Sequence, residues 1–277
     1  FFFHGAKLAR SAIVGGLTHW RLHLVILACT FAMFPLLGLL TSALFGSLLH
    51  PALGIGLLFL AALPSTVQSS IAFVSVAKGN VPAAIASASA SQVAGVVLTP
   101  VLMGLMVGAQ GGEVPLSGIG KVALQILLPF VVGHLMRPWI GDFVARNKAT
   151  IGLTDRATIL IAVYSAFSSA VLEGLWSRLP PKDFALLLVV CCLMLAFALL
   201  FTSGMAKLFG FAGNDEIVVV FCGTKKSLVQ GVPMGRVLFP GPDLGLILLP
   251  IMIFHQVQLM VCAYIARRYA RGVDDNE

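Results

Sequence analysis

Apolar runs of about 20 residues follow one another from residue 24 to residue 266, roughly the length a helix needs to cross the ~30 Å hydrocarbon core of a bilayer. In lipid every backbone N–H and C=O must be satisfied inside the protein, so only helices or a closed barrel are open to such a chain. A barrel would alternate in polarity instead. Only 10% of the residues are charged, against roughly 25% in an ordinary soluble domain. A water-soluble monomer is excluded, and an all-α integral membrane protein is predicted.

Eight full spans can be drawn, at 24–46, 53–76, 81–108, 118–140, 157–175, 184–206, 216–239 and 244–266. The connections on one side hold Lys7, Arg10, Arg21, Lys78, Arg137, Arg146, Lys148, Arg156, Lys207, Arg267, Arg268 and Arg271. Those on the other hold Lys121, Arg178, Lys182 and Arg236. The positive-inside rule makes the richer side cytoplasmic, and with it the C-terminus and the 141–156 loop, in what is read as a bacterial inner membrane. The net charge of +7 is therefore a matter of topology and does not point to nucleic acid. Cys29, Cys191, Cys192, Cys222 and Cys262 lie inside apolar stretches without paired spacing, which argues against a disulfide framework or a zinc site. The opening Phe1-Phe2-Phe3-His4-Gly5 has neither Met nor the basic region of a signal peptide, and reads as the tail of a truncated hydrophobic segment.

Two spans are interrupted. Pro64-Ser65-Thr66-Val67-Gln68-Ser69-Ser70 lies in the middle of 53–76, and Gly223-Thr224-Lys225-Lys226-Ser227, followed by Gly231 and Pro233, in the middle of 216–239. Proline removes a donor and clashes with the preceding turn, and irregular backbone at membrane depth is tolerated only against protein or a wet cavity. Each broken span is followed by one with a polar stripe: Ser87, Ser89, Ser91 and Gln92, then His255, Gln256 and Gln258. On a helix 87 and 91 share a face, as do 255 and 258, whereas 256 and 258 diverge. The plain, broken, striped order recurs after five spans, an odd offset that inverts the second copy. Inverted repeats with paired broken helices predict a transporter site near the midplane.

Lys225 and Lys226 each cost roughly 2.5–3.5 kcal/mol at this depth, with no acid nearby in sequence. They are either cations facing a cavity or a water-exposed loop between shorter segments. A cavity-facing ammonium can hold an anionic substrate, or lose its proton and couple transport to protons. The Gly223 segment lacks the spacing of a phosphate-binding loop. Thr66, Gln68, Ser69 and Ser70 could serve a carboxylate or an alkali cation, and Ser87 to Ser91 fits close helix packing equally well. His255 is a potential proton carrier or a packing residue. Glu173 lies near the outer end of its span, and the central region contains no acid at all.

At the two breaks the chain resembles the sodium/bile-acid symporter family, nearest its cotransporter 7-like branch. The resemblance rests on Pro64 to Ser70, Gly223 to Leu228, Lys78-Gly79-Asn80 and His255-Gln256. It implies a ten-helix carrier with two crossing broken helices, of which the eight spans here would be the third to the tenth. It also implies one transmembrane domain, 1–277, with an incomplete first repeat at 1–108, a second at 118–266 and a cytoplasmic tail at 267–277. Sodium-coupled members carry Pro-Gly-Gly-x-x-Ser-Asn and Glu-x-Gly-x-Gln-Asn at the breaks. Only Pro64, Ser69 and Gly223 match here: Ser70 replaces Asn, Phe221 the Glu, and Lys225 and Lys226 the Gln and Asn.

The expectation is a secondary transporter of an organic anion, steroid-like or a smaller carboxylate, working by alternating access. It has no cofactor and no enzymatic activity, and its coupling ion is sodium or a proton. The expected substrate-binding or coupling residues are Thr66, Gln68, Ser69, Ser70, Ser87, Ser91, Gln92, Thr224, Lys225, Lys226, Ser227, His255, Gln256 and Gln258. In this reading Lys225 stands in the place of a sodium ion. The alternatives are sodium symport through Thr66, Gln68, Ser87 and backbone carbonyls, a transporter-derived regulatory or scaffold protein, and a hydrolase built on a Ser and His255. The expected partners are the small anion and the lipid bilayer.

Overall fold

The computed structural model describes residues 2, 19–109, 116–172, 179–211 and 213–274. Phe1, Phe3 to Gly5, Lys7, Arg10, Glu173 and Arg178 lie outside the described residues. Those described are almost entirely helical, without strands. The helices are α1 (Trp20–Ala28), which runs through a π-helical turn (Cys29–Met33) into α2 (Phe34–Phe45); α3 (Pro51–Ala62); α4 (Gln68–Val76); and α5 (Val81–Ala109). They continue as α6 (Leu116–Arg146), α7 (Lys148–Leu172), α8 (Pro181–Leu208), α9 (Asn214–Gly223), α10 (Leu228–Leu238) and α11 (Leu244–Asp274). Among the described residues, four helical stretches are long and apolar enough to cross a membrane: Trp20–Leu48, Val81–Ala109, Pro181–Leu208 and Leu244–Arg271.

At the centre stands α3, apolar all round and buried from Leu57 to Ala62, as expected of a helix with no solvent face. It starts at Pro51, whose missing N–H is one a helix start leaves unpaired anyway, and the His50 ring accepts from the Ala52 N–H at 3.3 Å. α11 packs directly on α3. A Cβ added at Gly56 would lie 2.5 Å from the Ile247 carbonyl oxygen and 2.8 Å from Pro250 Cγ, whereas one at Gly54 would meet nothing within 4 Å. Gly56→Ala is therefore expected to cost about 1–3 kcal/mol of stability and Gly54→Ala almost nothing. Thermal unfolding of the two variants in detergent checks this, and equal shifts would refute the close crossing.

The Lys78-Gly79-Asn80 segment ends α4 and ties it to α9. The Gly79 N–H returns to the Val74 carbonyl at 2.8 Å across Lys78, which takes the left-handed conformation (φ 60°). Gly79 itself is required by proximity, since a Cβ there would lie 2.6 Å from Ile217 Cγ2. Asn80 Oδ1 accepts from the Ala83 N–H at 3.1 Å, capping α5. Its Nδ2 donates to Asp215 Oδ1 at 2.9 Å and its backbone N–H to the Asn214 carbonyl at 3.1 Å.

Candidate functional site

Both interruptions are present in the fold. The first separates α3 from α4 at 63–67. Leu63, as the residue before Pro64, is pushed into extended backbone (ψ 151°), and the proline supplies no N–H to continue the helix. The second separates α9 from α10 at 224–227. Here Thr224 turns its hydroxyl back to the Val220 carbonyl at 2.7 Å, and extended Ser227 caps α10 by accepting from the Gln230 N–H at 3.3 Å. Pro233 lies inside α10, so this break is made by hydroxyls and not by proline. The breaks meet: the Ser227 N–H donates to the Pro64 carbonyl at 2.9 Å. A Cβ at Gly95 of α5 would lie 2.6 Å from the Pro64 ring, so α5 closes the first break from behind.

Each break frees carbonyls, and each is answered by side-chain donors from elsewhere. At the end of α9, Ser65 Oγ donates to the Cys222 carbonyl at 2.7 Å and Ser70 Oγ to that of Phe221 at 3.4 Å. At the end of α3, Thr99 Oγ1 donates to the Ala62 carbonyl at 2.9 Å. The carbonyls on either side of Ala62 go to one group: Lys226 Nζ donates to Ala61 at 2.8 Å and to Leu63 at 2.7 Å.

The third N–H of Lys226 Nζ reaches the Thr30 carbonyl at 2.9 Å, and local chemistry explains why that acceptor is free. In the π-helical turn the Phe34 N–H bonds Cys29, one residue further back than in an α-helix. The next residue, Pro35, has no N–H. Neither donor that could serve Thr30 does so. Three N–H groups thus meet three carbonyls, the complement of a protonated amine, and the Phe34 ring face lies 4.1 Å from the same Nζ. Gln258 holds the Lys226 backbone at both ends. Its Oε1 accepts the Lys226 N–H and its Nε2 donates to the Lys226 carbonyl, both at 3.1 Å, with His255 Nδ1 at 2.8 Å from the same Nε2.

Lys225 is also fully buried, yet its Nζ meets no nitrogen or oxygen acceptor among the described residues. It lies 4.0 Å from the centre of the Phe73 ring, with the Cys262 thiol beside it. The sequence reading put Lys225 in the place of a cation, but the carbonyl cage belongs to Lys226. Neighbouring residues in an unwound segment point to opposite sides, so only one of the two can enter it.

Of the other expected residues, Thr66 pairs with Ser69 and lies 3.4 Å from Ser70, and Ser91 Oγ accepts from the Ser65 N–H at 3.0 Å. Gln92 contributes its carbonyl to Gln230 Nε2 at 3.4 Å. Ser87 lies apart, 2.6 Å from His23 Nδ1. Gln68 and Gln256 are exposed and outside the cluster. Sequence reasoning missed Thr30, Phe34, Ser65, Phe73 and Thr99. Pro35, in a span otherwise free of polar interruption, was the one available signal for Thr30.

Half-helices that meet through their breaks and satisfy one another's backbone are the build of a membrane transporter, where irregular backbone is kept for a site. The chain belongs to the SBF-like CPA transporter family, whose model matches residues 1–271. It is 54% identical over 277 residues to an uncharacterized protein of Pseudomonas aeruginosa, covering 99% of this chain and 83% of that one. It is 51% identical over 274 residues to YfeH of Escherichia coli, named as a candidate symporter, covering 99% and 82%. With the sodium/bile acid cotransporter 7 of Rattus norvegicus it shares 30% identity over 268 residues, covering 94% and 78%. The resemblance to the bile-acid symporters holds over the whole chain, and the family is one of transporters, not enzymes.

Proposed function

We propose that the protein is a sodium-independent secondary carrier of an amphipathic organic anion, bile-acid-like or a smaller carboxylate, with Lys226 as a tethered cation. One observation carries this reading: the Lys226 ammonium occupies three backbone carbonyls at 2.7–2.9 Å, hard oxygen ligands of the kind an alkali ion would take. The charge a sodium-coupled relative would have to load is here part of the chain. A proton is then the ion left to drive uptake. Transport proceeds by alternating access about the breaks, with 1–108 and 118–266 as an inverted pair. The setting is the bacterial inner membrane, with the C-terminal tail 267–277 in the cytoplasm.

The rival is sodium symport, which the name of the rat relative suggests. Of the ligands it would draw on, Ser87 is held by His23 and Gln68 is exposed. Uptake of labelled taurocholate into proteoliposomes separates the two. Replacing sodium with choline is expected to leave the rate unchanged, and collapsing an imposed pH gradient to lower it. Loss of uptake in choline would end the tethered-cation reading.

A further inference from the structure

The two adjacent lysines divide the work at the second break, and only one is needed to hold it together. Lys226 has an acceptor for each of its three N–H groups. Lys225, equally buried, has no nitrogen or oxygen acceptor among the described residues, only the Cys262 thiol beside it. A buried amine without such a partner calls for an explanation, and at membrane depth an ionisable side chain marks a functional site by default. What surrounds it defines that partner. Among the described residues no carboxylate interacts with it; the thiols of Cys262 and Cys222 do. The Phe73 ring covers Nζ at 4.0 Å and is itself half-buried on α4, so an aromatic side chain that touches the amine also reaches the surface of the fold. From it the rings continue through buried Phe221, at 6.0 Å between centroids, to half-buried Tyr269, which meets Phe221 edge-on at 6.2 Å.

We propose that Lys225 Nζ is the anchor for the acid group, carboxylate or sulfonate, of the transported anion, and that Phe73 is the ring that turns aside to admit it and packs on its apolar body. The ammonium supplies three donors and a charge to the headgroup, and the aromatic row supplies a sequence-tolerant apolar wall. This deepens the transport reading above and rests on it, but it uses a different lysine and a separate measurement.

The test is equilibrium binding to the full chain in nanodiscs, in sodium-free choline buffer, with cholate, taurocholate and uncharged methyl cholate as probes. Lys225→Met is expected to weaken both acids by about 10- to 100-fold while leaving methyl cholate unchanged. Lys225→Arg is expected to retain the acids, and Phe73→Ala to weaken all three probes alike. The unliganded melting temperature of Lys225→Met and Lys225→Gln should not fall below that of the parent chain, because no hydrogen bond to a nitrogen or oxygen acceptor is lost. The binding is measured again with sodium in place of choline, and the anchor is overturned if acids and ester weaken equally in Lys225→Met, if the acids bind it as before, or if none of the probes binds the parent chain in either buffer. Binding of the acids that requires sodium but still depends on Lys225 would overturn the tethered-cation reading and leave the anchor standing.

Discussion

Lys226→Ala is expected to lose on the order of 5 kcal/mol of stability, because it strands three buried carbonyls, each costing roughly 1–3 kcal/mol without a donor. Two of them, Ala61 and Leu63, lie on either side of the point where α3 ends, and the third belongs to Thr30 in the π-helical turn. One side chain therefore joins three segments, and its removal should unfold the crossing and abolish transport. The alanine also leaves a space lined by three carbonyl oxygens. Sodium or methylammonium added to the purified variant is expected to restore part of its melting temperature. Lys226→Met fills the space without supplying a donor and should gain nothing from either ion. Lys226→Arg, with a planar fork in place of three tetrahedral donors, should fail as well. If Lys226→Ala melts with the parent chain, or if no cation raises its midpoint, the view of Lys226 as a built-in ion is wrong.

Gln258→Leu is expected to follow, with a loss of about 3 kcal/mol. The side chain accepts from the N–H of Lys226 and donates to its carbonyl, so leucine leaves two backbone groups unpaired within the break. Gln258→Glu keeps the acceptor but sets a carboxylate oxygen against the Lys226 carbonyl, and should be no better than leucine. The neighbouring Gln256→Leu, at an exposed position, should change neither melting temperature nor uptake. Denaturation curves and taurocholate uptake for the three variants check the ordering; a Gln256 effect as large as that of Gln258 would contradict it.

Much of this arrangement is written along the chain. Pro64 breaks its helix because a ring without an N–H cannot continue one and forces Leu63 into extended backbone, which are local effects readable from the residues alone. The helical period also separates Gln258 from Gln256, and the first is buried while the second is exposed. The choice between Lys225 and Lys226 was not legible in this way. Their local sequence is the same in character, and what distinguishes them is whether the π-helical turn after α1 and the end of α3 present free carbonyls on one side of the segment. Ser65, named within the first break but not among the expected site residues, and Thr99 were not assigned for a related reason: small hydroxyls are common in membrane helices, and nothing in their spacing says which carbonyl across the fold each will meet.

The sequence by itself determined that this chain is a bundle of apolar helices with two broken members and a pair of lysines at membrane depth. Hydropathy, proline and hydroxyl capping act within a few residues of where they occur. Only the tertiary structure decided that Lys226 closes the cage and Lys225 stands beside it unpaired. The carbonyls that make the difference lie 163, 165 and 196 residues away along the chain, and become neighbours only once the helices have packed.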